Sequence, residues 1–258
     1  MASAIDLSGR CALITGAGQG IGATISAMLS AAGASVLVND IDHQRAAMVV
    51  DKLRHSGGLA ETAIFDVSSY SQVIDVVNAH RPIDILINNA GNAGSDPWPD
   101  MKSFVDTSPE DWAPYFAVNL FGMMHCVHAV LPQMIERKWG RIVTILSDAS
   151  RVGEPKLAAY AGAKAGAAGV ARSVASDTAR YGITVNNISL GTMRTPLTES
   201  YWASLDENQL SQRMSTYPIR RPGVPDDVAA LVGYLVSPQS EWMTGQTIPL
   251  NGGYSMAL

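Results

Sequence analysis

The sequence predicts an α/β fold in which a doubly wound parallel sheet carries helices on both faces, giving three αβα layers. Three observations predict it. Short aliphatic runs alternate with helix-like segments along the whole 258-residue chain. Those runs are near-continuously apolar, as strands buried on both faces are. The first run passes straight into a glycine-rich turn that opens a helix, which favours an open doubly wound sheet over a closed (β/α)8 barrel.

Taken in order, strands are expected over residues 11–15, 35–39, 63–65, 83–87, 141–146, 184–188 and 247–250. Between them, helical patterning covers 21–32, 45–55, 71–79, 117–136, 158–180 and 226–236. No linker, low-complexity run or repeat divides the chain, so residues 1–258 are expected to form a single domain.

Composition excludes several classes. With 18 Lys+Arg against 23 Asp+Glu, the net charge of -5 offers no basic footprint for nucleic acid. No run of roughly 18 uninterrupted apolar residues marks a membrane span. The first ten residues show no charged leader or apolar core, so no export signal is expected. Two cysteines, Cys11 and Cys126, are too few for a disulfide scaffold or a clustered zinc site, and a reducing cytoplasm is the expected compartment.

The first turn reads Gly16-Ala17-Gly18-Gln19-Gly20-Ile21-Gly22. Glycines there let the backbone approach a pyrophosphate, and the helix start behind them offers N–H donors and the positive end of its dipole. Asp40 follows at the end of the second strand, where a carboxylate accepts hydrogen bonds from adenosine ribose hydroxyls and repels a 2′-phosphate. No Lys or Arg lies in the turn, and none follows Asp40 until Arg45. These features point to NAD in preference to NADP.

Thr15-Gly16-Ala17-Gly18-Gln19-Gly20-Ile21-Gly22 resembles the T-G-x-x-x-G-x-G motif of the classical short-chain dehydrogenases/reductases, a family with one Rossmann-type domain of about this length. Further motifs match in the family's order. Asp66-Val67 is similar to its adenine-contacting D-V, Asn88-Asn89-Ala90-Gly91 to its N-N-A-G strand end, and Tyr160-Ala161-Gly162-Ala163-Lys164 to its Y-x-x-x-K. Ser147 and Asn119 resemble the remaining members of the family tetrad.

The resemblance implies cofactor contacts from Gly16, Gln19, Gly20, Ile21, Gly22, Asp40, Asp66, Val67, Asn89, Ala90 and Gly91. Tyr160, Lys164, Gly191, Met193 and Thr195 are implied at its other end. It also implies a catalytic tetrad of Asn119, Ser147, Tyr160 and Lys164. A phenol and an ammonium at i and i+4 share one helix face, and a nearby cation lowers a tyrosine pKa from its usual value near 10. Tyr160 is thus expected to act as general acid/base while Ser147 holds the substrate oxygen. Lys164 is expected to hold the nicotinamide ribose, and Asn119 to keep a water in a proton relay. No metal is required, because the hydride chemistry belongs to the nicotinamide.

One motif departs from the pattern. Leu190-Gly191 stands where the family has Pro-Gly, and the loss of proline's fixed φ is expected to loosen the turn or reshape the pocket floor. Residues 192–218 resemble the family's substrate lid. Ala149, Arg151, Trp98, Leu190 and Trp202 are expected at the substrate pocket. Locally, Ser147-Asp148-Ala149 followed by Arg151-Val152-Gly153 resembles members that oxidise alicyclic hydroxyacyl thioesters. His125, Cys126 and His128 lack a third ligand set nearby and are expected to pack.

Three glycines in the helix of Tyr160 (Gly162, Gly166, Gly169) each cost about 0.8–1 kcal/mol relative to alanine. Close packing is the simplest compensation. With Met123, Met124, Val127 and Val130 on the preceding helix, they suit the family's helix-pair interface, and its usual tetramer is expected. The apolar end Met256-Ala257-Leu258 suits a second interface. The function expected is NAD-dependent interconversion of a small-molecule secondary alcohol and its ketone. The alternatives are an NADPH-dependent ketoacyl or carbonyl reductase and, from another class, a non-catalytic dinucleotide-binding regulator.

Overall fold

The computed structural model describes residues 5–80, 82–93 and 101–256. Its strands are β1 (Cys11–Ile14), β2 (Ser35–Asp40), β3 (Ala60–Ile64), β4 (Ile85–Asn88), β5 (Gly140–Ser147), β6 (Ile183–Leu190) and β7 (Thr247–Leu250). They form one sheet in the order β3-β2-β1-β4-β5-β6-β7, with every pair parallel. The order reverses between β1 and β4, where Ala12 pairs with Val36 on one side and Ile85 on the other. Doubly wound sheets open their ligand crevice beside that reversal, at the carboxyl ends of the strands.

Helices α1 (Gly20–Ala31), α2 (His43–His55) and α10 (Pro225–Val236) cover one face. Ile25, Leu29, Val50, Val228 and Val232 pack there against β1 and β2. On the other face lie α3 (Tyr70–Ala79), α4 (Pro109–Phe116), α5 (Met123–Arg137) and α7 (Ala158–Thr178). The short helices α6 (Ala149–Val152), α8 (Glu199–Ser204) and α9 (Glu207–Met214) belong to the loops above the strand ends. Because both faces are covered, the inner strands are buried along their whole length, which is why their sequences do not alternate.

Two boundaries differ from expectation for physical reasons. β3 begins at Ala60 and ends at Ile64, not over 63–65, because it is an edge strand. Ala60 and Ala63 are buried, on opposite faces, but Glu61 between them is exposed, so the continuous apolar signature is missing. The helix expected from 117 begins at Pro109. Ser108 and Asp111 form a capping box there, in which the Ser108 N–H donates to Asp111 Oδ2 at 2.9 Å. Pro109–Arg137 is then a 29-residue helical run, apolar and long enough by composition to cross a membrane, yet its apolar stripe of Cys126, Val130 and Met134 is used in the core.

That use also corrects the expected interface. Met123, Val127 and Val130 face the sheet and are buried, leaving Met124 and the neighbouring Phe121 turned outward. Positions 123, 127, 130 and 134 are one helical stripe, so a single face cannot serve both core and partner. On α7, Gly166 lies against Leu120, where an added Cβ would come within 3.2 Å of its side chain. Gly169 meets only Arg172, at 3.9 Å. Ala257 and Leu258 lie outside the described residues.

Candidate active site

β1 delivers the chain to the crevice, and Thr15 ties it to the end of β4. The Thr15 Oγ1 accepts the N–H groups of Asn89 and Ala90, both at 3.0 Å. Asn89 in turn donates through Nδ2 to the carbonyls of Thr15 (2.9 Å) and Gly16 (3.0 Å). The approach leaves no room for side chains. Gly16 has φ +60°, and a Cβ there would lie 2.8 Å from Ala90 Cα. One on Gly22 would lie 2.6 Å from the Gly16 carbonyl.

Helix α1 starts at Gly20 with no side-chain cap on Gln19 and no acidic residue in its first turn. Its leading N–H groups and positive dipole end are left to an anion, so the turn fits a dinucleotide pyrophosphate. The cleft above has a volume of about 730 Å³. Gly16, Gln19, Gly20, Ile21, Asp40, Asp66, Val67, Asn89, Ala90 and Gly91 line it. So do Ser147, Tyr160, Lys164, Leu190, Gly191, Met193 and Thr195. Gly22 lies beneath, in the turn itself.

The adenosine end differs from expectation in one respect. Asp40 is buried and accepts from Gly18 N–H at 3.1 Å and Asp42 N–H at 3.0 Å. Arg45, silent in the sequence, reaches back to Asp40 Oδ1 at 2.8 Å and also lines the cleft. The expected anionic wall is therefore an ion pair.

At the opposite end, α7 presents Tyr160 and Lys164 to β5. Lys164 is buried, and its Nζ donates to the Ile145 carbonyl at 2.8 Å and lies 5.9 Å from the centre of the Tyr160 ring. Burial pushes the Lys164 ammonium down to about 8. Burial raises the Tyr160 phenol above its ordinary value, and the Ser147 hydroxyl, which favours the phenolate, opposes that rise only in part. The Glu154 charge adds to that rise. The expected lowering of Tyr160 is thus corrected: burial of the phenol dominates, and the group that opposes it is Ser147, not Lys164.

Asn119 sits in a π-helical stretch, Ala117–Gly122, between α4 and α5, outside the cleft lining. Its Nδ2 donates to the carbonyls of Asn92 (2.7 Å) and Tyr115 (3.0 Å), while Oδ1 accepts from Asn92 N–H at 3.1 Å. The side chain clamps the strand end that carries Gly91. Between Asn88, Asn119, Thr144 and Lys164 lies a cavity of about 10 Å³, the scale of one water.

The residues expected at the substrate divide. Leu190 lines the cleft, and Ala149 is buried beside Ser147, donating to its Oγ at 3.3 Å. Arg151 instead turns to Asp148 and Ser255, both at 3.1 Å. Trp202 is buried against Met214 and Tyr217, with Nε1 donating to the Met193 carbonyl at 3.2 Å. Trp98 lies outside the described residues. Leu190 does not loosen its turn. It ends β6 paired with both Ser147 and Leu250, and Gly191 N–H reaches the Leu250 carbonyl at 3.2 Å. His125 bonds the Val67 carbonyl and His128 the Tyr70 hydroxyl, so both are packing groups.

A phosphate-ready glycine turn at one end of a cleft, with a serine, a tyrosine and a buried lysine lining its other end, defines a nicotinamide-dependent oxidoreductase. Residues 16–255 match the family model described as enoyl-(acyl carrier protein) reductase. The chain is 34% identical over 253 residues to the 7alpha-hydroxysteroid dehydrogenase of Escherichia coli strain K12, covering 96% of this chain and 95% of that one. It is 34% identical over 258 residues to the (2S)-[(R)-hydroxy(phenyl)methyl]succinyl-CoA dehydrogenase subunit BbsD of Thauera aromatica, with 98% and 99% covered. The solved gluconate 5-dehydrogenase of Burkholderia cenocepacia, in complex with NADP and tartrate, superposes with a TM-score of 0.88 at 34% identity, with 98% of each chain covered. A 7α-hydroxysteroid dehydrogenase complexed with NADH gives 0.85 at 34%, with 96% and 95% covered. The chain belongs to the classical short-chain dehydrogenases/reductases. It is an NAD(P)-dependent oxidoreductase that interconverts secondary alcohols and ketones.

The buried Lys164 gives a test of stability. Its folded pKa lies below the unfolded value of 10.5, so between about 8 and 10.5 the unfolded chain binds more protons and stability rises with pH. Relative to Lys164→Met, the wild type gains about 3 kcal/mol across that window, each pK unit being worth about 1.4 kcal/mol. Urea unfolding of both proteins at pH 7 and pH 10 reads the difference, and a pH-independent gap would refute it.

Proposed function

We propose that this chain oxidises a secondary alcohol with NAD as its preferred coenzyme, reversibly, with Tyr160 as the general acid/base. The observation that carries the reading is that Ser147, Tyr160 and Lys164 line the same cleft as the glycine turn of Gly16, Gln19 and Gly20. Bound nicotinamide supplies the hydride acceptor or donor. Tyr160 Oη takes the alcohol proton in oxidation and returns it to the carbonyl oxygen in reduction. Ser147 Oγ holds that oxygen and stabilises the charge it develops. Lys164 keeps a positive charge beneath the phenol, and Asn119 fixes the strand end facing it. Residues 192–218 reach the cleft through Thr192, Met193, Thr195, Leu197 and Thr198, and we read them as the lid that excludes water. Tyr160→Phe is expected to lower turnover by about 10²–10⁴-fold while NADH binding, followed by fluorescence, persists. Unchanged turnover would reject the assignment.

Asp40 supports NAD, since a buried carboxylate repels a 2′-phosphate. The Arg45 ion pair favours a second reading, in which NADP is also accepted, and solved relatives carry either coenzyme. Asp40→Ser releases Arg45 from Asp40, leaving it beside Asp42 at 3.6 Å, and is expected to raise the NADP/NAD ratio of kcat/KM by at least about tenfold, the effect of 1.4 kcal/mol. A ratio unmoved by the substitution would remove Asp40 as the determinant.

For the substrate, the Ser147–Gly153 resemblance and the similarity to a (2S)-[(R)-hydroxy(phenyl)methyl]succinyl-CoA dehydrogenase subunit support a hydroxyacyl thioester. NAD reduction compared across cyclic alcohols, hydroxyacyl thioesters, polyols and hydroxysteroids ranks the classes. The two buried cysteines, Cys11 and Cys126, accord with a cytoplasmic setting. The outward Phe121 and Met124, 50% and 38% exposed, and the open face at Gly169 support a homo-oligomer, a tetramer by family resemblance. Sedimentation equilibrium is expected to give a multiple of the 27.3 kDa chain mass, and a monomer would reject it.

A further inference from the structure

We propose that Asp148 is a positioning residue for the reaction, fixing the catalytic serine loop and the segment after β7 in one register; this rests on the function proposed above. Asp148 is 1% exposed. A carboxylate buried so deeply costs several kcal/mol unless its oxygens are satisfied, and here each receives two donors. Ser189 Oγ (2.7 Å) and Arg151 Nη1 (3.1 Å) donate to Oδ1. Asn251 Nδ2 (2.5 Å) and Ser255 Oγ (2.7 Å) donate to Oδ2. Its own N–H reaches the Leu190 carbonyl at 2.9 Å. Together the four hydrogen bonds hold the carboxyl below the ordinary carboxylate range although burial opposes them.

The hub acts on both walls of the cleft without lining it. On one side it is bonded directly to Ser147 in the chain, whose carbonyl also accepts from Ser150 Oγ at 2.6 Å. On the other, Asn251 backs Gly191, where an added Cβ would lie 2.9 Å from Asn251 Cα. Tyr254 stacks on Tyr217 at 4.9 Å, and Tyr217 Oη accepts the Thr192 N–H at 3.1 Å. One carboxylate therefore orders both the serine that meets the substrate oxygen and the Gly191–Thr192 strip across from it. Donors drawn from β6, α6 and the chain end converge on a single acceptor, a convergence that holding Arg151 alone would not need.

The test begins with the wild type and the best alcohol of the screen, since absence of turnover there would count against the function and not against Asp148. Asp148→Asn keeps the shape but loses the charge. Its kcat per folded active site is expected to fall by about 10–100-fold, the scale of a sub-ångström to ångström misplacement, with KM for NAD changed less than about threefold. The isotope effect on kcat for the alcohol deuterated at the carbinol carbon is expected to rise as hydride transfer becomes limiting. A merely structural residue would lower the melting temperature and the folded fraction while leaving kcat per site and the isotope effect alone. Should Asp148→Asn fail to fold, Ser255→Ala removes one donor from the chain end. It is expected to lower kcat by about 3–10-fold, with recovery in Ser255→Thr. Wild-type kcat per folded site in Asp148→Asn, or in Ser255→Ala, overturns the proposal.

Discussion

The hydrogen bond from Lys164 to the Ile145 carbonyl is the contact around which the catalytic end of this molecule is arranged. It docks α7 on β5 and thereby sets Tyr160 against Ser147, the last residue of the same strand. An ammonium in that position is desolvated, and the Ile145 carbonyl, at 2.8 Å, offsets part of the cost. The neighbours must be small or polar to allow the approach. An added Cβ at Gly91 would lie 3.5 Å from Nζ and 3.2 Å from Asn119 Oδ1. Asn119 occupies that corner because the π-helical stretch between α4 and α5 turns it inward, and it takes up both the N–H and the carbonyl of Asn92.

The nucleotide end follows another logic. There the constraint is steric, the close passage of the β1 turn over the end of β4, and the side chains that serve it do so by being absent. Thr15 and Asn89 then hold the two strand ends together through their polar atoms, so the cleft floor is rigid before any ligand binds. Arg45 modifies this picture at the adenosine side. Reaching Asp40 costs it a partly ordered side chain, and the pairing both steadies the carboxylate and lessens the field that would exclude a phosphate.

Legibility in the sequence tracks the range of the interaction. The inner strands were readable because burial on both faces writes a local apolar run, and the glycine turn because its geometry is contained in eight successive residues. β3 is hard to place because the exposed Glu61 breaks its apolar run at the sheet edge, although Ala60 and Ala63 are buried in the clusters on opposite faces. The start of α4 carried a local signal, Ser108-Pro109-Glu110-Asp111, which helical periodicity alone passes over. The π-helical stretch at Asn119 leaves no period of its own. Asp148 was invisible as a hub because its partners Asn251 and Ser255 lie 103 and 107 positions away. Arg151 looked like a pocket residue for the same reason. Trp202 likewise looked like a substrate wall, whereas Met214 and Tyr217, brought to it by the folding of α8 and α9, make it an internal anchor.

The protonation state that the chain sets for itself bears on direction. Burial disfavours charge on both members of the Tyr160–Lys164 pair, raising the phenol and lowering the ammonium to about 8. At neutral pH that leaves the phenol protonated and the lysine still charged. A protonated Tyr160 beside Ser147 is ready to donate to a ketone oxygen, so the resting groups suit reduction directly. Oxidation requires the phenol to have lost its proton, and Lys164 while charged cannot take that proton; it can only favour the phenolate through its charge. As pH rises, Lys164 gives up its proton first, near 8, and the phenol, held above its ordinary value by burial, does so only later, so the chain's own groups keep Tyr160 in its proton-donating form across the neutral range.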